Sequence, residues 1–117
     1  MATRVVIVDD HGPFRSVARE TLEQAGFEVV GEASDACSGL DVIRSMRPDV
    51  VLLDVNLPDL NGIDVARRLA AESCSAAVVL ISEVDSAPYR RQVRAGLAAG
   101  FIPKSELTAV SLRALTG

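Results

Sequence analysis

The chain has 117 residues, 49% of them hydrophobic and 24% charged, with aromatics at only 3% and a formal net charge of −4. This length holds a single domain with a real core and excludes two, and the composition excludes disorder. An acidic balance repels a nucleic-acid backbone, so no direct nucleic acid binding by this chain is expected.

The N-terminus "MATRVVIVDD" lacks the long apolar stretch and cleavage site of a signal peptide, and its apolar run Val5–Val8 is far too short to cross a membrane. The expectation is a soluble, cytoplasmic protein. Val5–Val8 is the first of five short apolar runs, followed by Phe27–Val30, Val50–Leu53, Ala77–Ile81 and Phe101–Ile102. Their onsets lie 22 to 27 residues apart, which suits one helix and two loops per interval. Val50–Leu53 and Ala77–Ile81 are continuous rather than alternating, as expected for parallel strands covered on both faces.

Helical periodicity fills the intervals. Phe14, Val17, Ala18, Thr21, Leu22 and Ala25 mark a first helix stopped at Gly26. His11 reads as a loop histidine that helps to start it. Ala36, Leu40 and Ile43 mark a second, capped by Ser34 or Asp35 and ended before Pro48. Cys37 and Cys74 have no metal-ligand spacing and read as two buried thiols, although sequence does not exclude a disulfide. Ile63, Ala66, Leu69 and Ala70 mark a third helix, and Tyr89, Val93 and Leu97 a weaker fourth carrying the basic stripe Arg90, Arg91 and Arg94. A fifth begins after Ser105 as N-cap, with Leu107, Val110 and Ala114 on one face. The pattern is α/β, (βα)5, one domain over residues 1–117 with no linker and no output domain in this chain.

In a doubly wound sheet, function gathers beyond the carboxyl ends of the strands. The first strand ends in Asp9 and Asp10, the third at Asp54, the fourth at Ser82, and the fifth is followed by Lys104. Each has an ordinary reading as a cap, turn or surface residue, and Asp54 alone fits a helix cap as well as a chemical centre. Jointly they place three carboxylates, a hydroxyl and an ammonium on one edge. At 4 Å and an effective dielectric near 20, each like-charge pair costs about 4 kcal/mol, which a hard divalent cation would relieve. Oxygen-only ligands favour Mg²⁺, with Mn²⁺ able to substitute, and the metal usually shares its coordination with a phosphate group. Ser82 and Lys104 then read as ligands for phosphoryl oxygens.

This ordered set resembles the receiver domain of bacterial two-component response regulators over essentially the whole chain. The resemblance implies a five-stranded parallel sheet of flavodoxin-like order 2-1-3-4-5. It makes Asp54, within "LLDVNLPDLNG", the phosphoacceptor of a phosphorelay, with Pro58 and Gly62 where the family places them. Mg²⁺ would be held by Asp10, Asp54 and the backbone carbonyl of Asn56, with Asp9 acting through water. Ser82 and Lys104 would bind the phosphoryl group, and Phe101 would be the aromatic switch that couples the pocket to the face of the fourth helix, fifth strand and fifth helix. The partners implied are a sensor histidine kinase or phosphotransfer protein, and a second copy of the chain docked through that face. "VDDH" and "VVGEAS" are similar to receivers that often precede a helix-turn-helix output domain. The activity implied is phosphoacceptance with autophosphorylation and autodephosphorylation only, not that of an enzyme acting on a separate substrate.

Two residues depart from the family pattern: Glu83 stands where a small residue is usual, and Ser105 replaces a proline after Lys104. Glu83 is expected to modify the pocket. Phe14 and Arg15, opening the first helix, are candidates for kinase contact. Three other readings are weighed against the resemblance. A flavodoxin-like nucleotide carrier would need a Gly/Ser/Thr-rich loop where "VDDHGP" presents two negative charges. An aspartyl-phosphate phosphatase usually repeats an acid where Asn56 stands. A degenerate receiver acting as a scaffold is opposed by intact Asp54 and Lys104 and kept open by Glu83.

Overall fold

The computed structural model describes residues 2–84 and 87–116. Five strands alternate with helices: β1 (Arg4–Val8), α1 (Gly12–Gln24), β2 (Glu28–Ala33), α2 (Ala36–Met46), β3 (Val50–Asp54), α3 (Gly62–Ala71), β4 (Ala77–Ser82), α4 (Arg90–Arg94), β5 (Gly100–Pro103) and α5 (Ala109–Thr116). All strand pairs are parallel and the sheet order is β2-β1-β3-β4-β5, the doubly wound arrangement expected.

The continuous apolar runs are buried on both faces. Every residue of β3 is buried, as are Val5–Val8 of β1 and Val78–Ser82 of β4. Period-two alternation then sorts the side chains into two layers. Val6, Val8, Val51, Leu53, Val78 and Leu80 pack with Leu40 and Ile43 of α2, Ile63 and Leu69 of α3, and Tyr89, Val93 and Phe101. Val5, Ile7, Val50, Leu52, Val79 and Ile81 pack with Ala18 and Leu22 of α1 and Leu112 of α5. Truncating a fully buried member such as Leu52 to alanine costs about 2–5 kcal/mol.

Helix ends follow local chemistry. The carboxylate of Asp35 accepts the Ser38 amide at the start of α2, and Arg47 closes that helix in the left-handed region (φ 47°) immediately before Pro48. Gly26 takes φ 95° after α1, as a chain-reversing glycine should.

Four expectations need correction. The second strand runs from Glu28 to Ala33, later and longer than the run Phe27–Val30; Phe27 is buried just ahead of it. The fourth helix is only five residues, because Gly96 at φ 80° closes it and Tyr89 belongs to a preceding 3₁₀ turn, Ala87–Tyr89. The fifth helix does not start at Ser105: Lys104–Glu106 form a 3₁₀ turn, and Thr108 caps α5 by accepting the Ser111 amide. Its inward residue is Leu112, flanked by Ala109 and Leu115, whereas Val110 is 78% exposed. The cysteines are not buried: Cys37 is exposed on the first turn of α2, Cys74 is half-buried in the turn after α3, and both are free thiols.

Candidate functional site

Strand register assembles the site. Val8 pairs with Leu53, so the next residues, Asp9 and Asp54, stand side by side at the carboxyl edge. Asp54 pairs with Ile81, one short of Ser82, and Ser82 pairs with Pro103, one short of Lys104. The predicted residues therefore meet through four adjacent strands, although Asp54 and Lys104 alone are 50 residues apart in sequence.

Lys104, the only lysine in the chain, sits 2.7 Å from Asp9 Oδ2 and 3.2 Å from Asp54 Oδ2. Its ammonium also lies 4.9 Å from the centre of the Phe14 ring, a cation–π contact that holds it over α1. Burial works against the charged ammonium, but the Asp9 and Asp54 carboxylates outweigh it and raise the Lys104 pKa above its ordinary value. Asp54 is 3% exposed. Burial pushes its carboxyl above the usual range and the Asp9 charge adds to this, while the Asn56 amide donating to Oδ1 (3.0 Å) and Lys104 oppose it.

Asp9, Asp10 and Asp54 each bring a carboxylate oxygen within 4.8 Å of the others. Asp9 is fully buried, Asp10 exposed. The Oδ1 atom of Asp9 accepts the His11 amide at 2.8 Å, whereas Oδ2 has no aligned hydrogen bond among the described residues. Three clustered carboxylates facing a single ammonium are left with excess negative charge on hard oxygens, which fits a divalent cation. His11 itself occupies the N-cap of α1 without a side-chain hydrogen bond, in line with its reading as a helix-starting loop residue.

Above the acids lies a cleft of about 400 Å³ lined by Asp10, His11, Asp54, Asn56, Glu83, Val84 and Lys104. Ser82 is 1% exposed at the end of β4, and its hydroxyl accepts the Val84 amide at 3.2 Å. Glu83 is exposed at the cleft rim. Phe101 stands apart from the carboxylates, half-buried on β5 and stacked on Tyr89.

The loop after Asp54 is fastened at both ends. Asn56 bridges to Asn61, whose side chain caps α3 by accepting the Ile63 amide. Gly62 packs against Asp54 so closely that a Cβ there would overlap the Asp54 carbonyl oxygen and the Val55 backbone. Sequence reading missed Asp59, whose two oxygens accept the Ala36 and Cys37 amides at 2.8 and 3.0 Å and so tie this loop to the start of α2. These amides hold the Asp59 carboxyl below its ordinary range. Its place beside "LPDLNG" gave no sign of a partner more than 20 residues back.

The chain spans about half the length of several curated relatives that it matches. One is the virulence-factor transcription regulator BvgA of Bordetella pertussis, 34% identical over 91% of this chain and 51% of that protein. The chemotaxis protein CheY of Thermotoga maritima is 31% identical, with 89% of this chain and 87% of that protein covered. Among solved structures, the signal receiver domain of the response regulator NarL from Mycobacterium tuberculosis superimposes with a TM-score of 0.86 at 34% identity, over 99% of this chain and 98% of that one. The family model of the response regulator receiver domain matches residues 5–115. With that match, five parallel strands in this order and acids at the carboxyl edge, the chain belongs to the response regulator receiver domains of two-component signalling.

Proposed function

We propose that the chain accepts a phosphoryl group on Asp54 and uses it to switch the face formed by α4, β5 and α5. One observation carries this reading: Asp54 lies at the floor of an open cleft, paired with the only lysine and flanked by two further carboxylates. In the transfer, an Asp54 oxygen attacks phosphorus while the P–N bond of a kinase phosphohistidine breaks, its electron pair leaving on the imidazole nitrogen. With a small acyl phosphate the P–O bond breaks and the carboxylate leaves.

Asp9, Asp10, Asp54 and the Asn56 carbonyl are the groups that would hold Mg²⁺, or Mn²⁺ in its place. Bound there, the ion supplies positive charge toward the phosphoryl oxygens. Lys104 contributes a second positive charge from the other side and fixes Asp54 for in-line attack, so catalysis is positioning and electrostatics. Ser82 exchanges the Val84 amide for a phosphoryl oxygen, and Phe101 follows into the space released. Glu83, at the rim, repels anionic donors.

Beside the cleft, Pro13, Phe14 and Val17 of α1 form an open groove with Glu83 and Ser105, and Val17 is 64% exposed. That surface supports docking of a sensor histidine kinase or phosphotransfer protein. Curated relatives named as transcription regulators support control of an output domain or partner; docking of a second copy through the switch face and a cytoplasmic setting complete the proposal.

Incubation with acetyl phosphate and Mg²⁺ followed by intact-mass measurement tests the reading. One phosphoryl adduct is expected, absent in Asp54→Ala. Absence of an adduct from acetyl phosphate and from every kinase offered would overturn it.

A further inference from the structure

Arg15, a candidate for kinase contact on sequence grounds, is turned inward instead. Its Nη1 donates to the backbone carbonyl of Asp9, and its Nε donates to Glu32 Oε1 on β2 at 3.2 Å. The other oxygen of Glu32 accepts from Arg19 Nη1 at 2.6 Å, and Arg19 also donates to the Val29 carbonyl. Arg15 and Glu32 are only 22% and 26% exposed, so the pair is sheltered from solvent. The Asp9 amide donates to the Ala33 carbonyl at 3.0 Å, which fixes the other side of the same residue.

The carbonyl that Arg15 grips belongs to the peptide bond joining Asp9 to Asp10. Rotation of that peptide plane would swing the exposed Asp10 carboxylate away from Asp9 and Asp54. We propose that Arg15 is a positioning residue: braced by Glu32, its guanidinium locks the Asp9–Asp10 peptide so that Asp10 faces the cation-binding carboxylates. The proposal rests on the reading of that acidic cluster as a divalent-cation site.

Charge and positioning predict opposite results, which makes the test sharp. Arg15 is a cation near a cation site, so deleting it should tighten Mg²⁺ or Mn²⁺ binding if only Coulomb repulsion operates. Loss of a group that orients a metal ligand instead weakens binding, by about tenfold or more.

The experiment titrates Mn²⁺ by electron paramagnetic resonance into the wild type, Arg15→Ala, Arg15→Lys, Glu32→Gln and the double variant Arg15→Ala/Glu32→Gln, with thermal unfolding run alongside. Arg15→Ala is expected to bind about tenfold more weakly. Arg15→Lys, which keeps the charge and reaches one acceptor, should recover part of the loss. The double variant should bind no worse than Arg15→Ala, because Glu32 acts through Arg15. Arg15→Ala binding as tightly as wild type, or more tightly, overturns the positioning role. If Arg15→Ala fails to fold, Arg15→Lys and Glu32→Gln decide: wild-type affinity in both overturns the role. Wild-type protein that binds no Mn²⁺ at millimolar concentration overturns the cation-site reading itself, a separate result.

Discussion

Tyr89 stacks on Phe101 with ring centroids 5.2 Å apart and planes 12° from parallel. Phe101 cannot turn toward the pocket without leaving this partner, and such aromatic pairs contribute about 0.5–1.5 kcal/mol beyond the area they bury. Under the proposed function, in which Phe101 is the switch, Tyr89 therefore weights it toward the stacked position. It is also the only tyrosine in a chain without tryptophan, so its emission reports on the stack alone. Phosphorylation of Asp54 is expected to change that emission, and Tyr89→Ala to raise the fraction of protein in the switched state by roughly two- to tenfold. An adduct seen by mass with tyrosine emission unchanged would show that Phe101 stays on Tyr89.

Lys104 and Asp54 both contribute to the pH dependence of stability. The folded pKa of Lys104 is raised, so its contribution is complete below the ordinary value of 10.5 and is lost as pH rises through the folded value. Asp54 has a raised folded pKa, so its ionised form strains the fold at neutral pH in the absence of a cation. Urea unfolding should give a higher midpoint for Asp54→Asn than for wild type at pH 7. Lys104→Met, which leaves buried Asp9 without its ammonium, should lose roughly 1–4 kcal/mol and lack the alkaline step above pH 10.5.

Gly62 sets how close α3 comes to Asp54. Gly62→Ala has no room for its methyl against the Asp54 carbonyl and Val55, and the contact is backbone rather than a flexible side chain. A loss of about 1–3 kcal/mol is expected, together with slower adduct formation because Asp54 is displaced. Wild-type unfolding and wild-type phosphorylation rate in Gly62→Ala would contradict the close approach.

Glu83 is exposed, so its influence on an incoming anion is weakened by solvent. Glu83→Ala is expected to speed phosphorylation by acetyl phosphate by roughly two- to fivefold at low salt, with the difference shrinking as ionic strength rises. A rate ratio that does not depend on salt would point to shape rather than charge at the rim.

The sheet and the acidic edge were legible in the sequence because both are written locally. Val50–Leu53 is a continuous apolar run, and an acid at its end needs no distant information. The ends of the chain's second half were less legible. Tyr89, Val93 and Leu97 keep helical spacing, yet Gly96 in a positive-φ turn stops α4 before Leu97 is reached. Ser105 resembles a cap, but the working one is Thr108, paired with Ser111 three residues on. Arg15 and Asp59 were opaque for a different reason. Their partners, Glu32 and the first amides of α2, lie 17 and more than 20 residues away and are joined only by the fold.

The two layers of the core divide the labour of the pocket. Phe14, which holds the Lys104 ammonium, belongs with α1 and α5, whereas Phe101 and Tyr89 belong with α2, α3 and α4 on the other side of the sheet. A protein that reaches the pocket over α1 thus occupies one face, and a protein that reads the aromatic pair occupies the opposite one. Under the proposed function, donor and reader would share at most the α5 side of the switch face, so a message could be collected before its messenger has left.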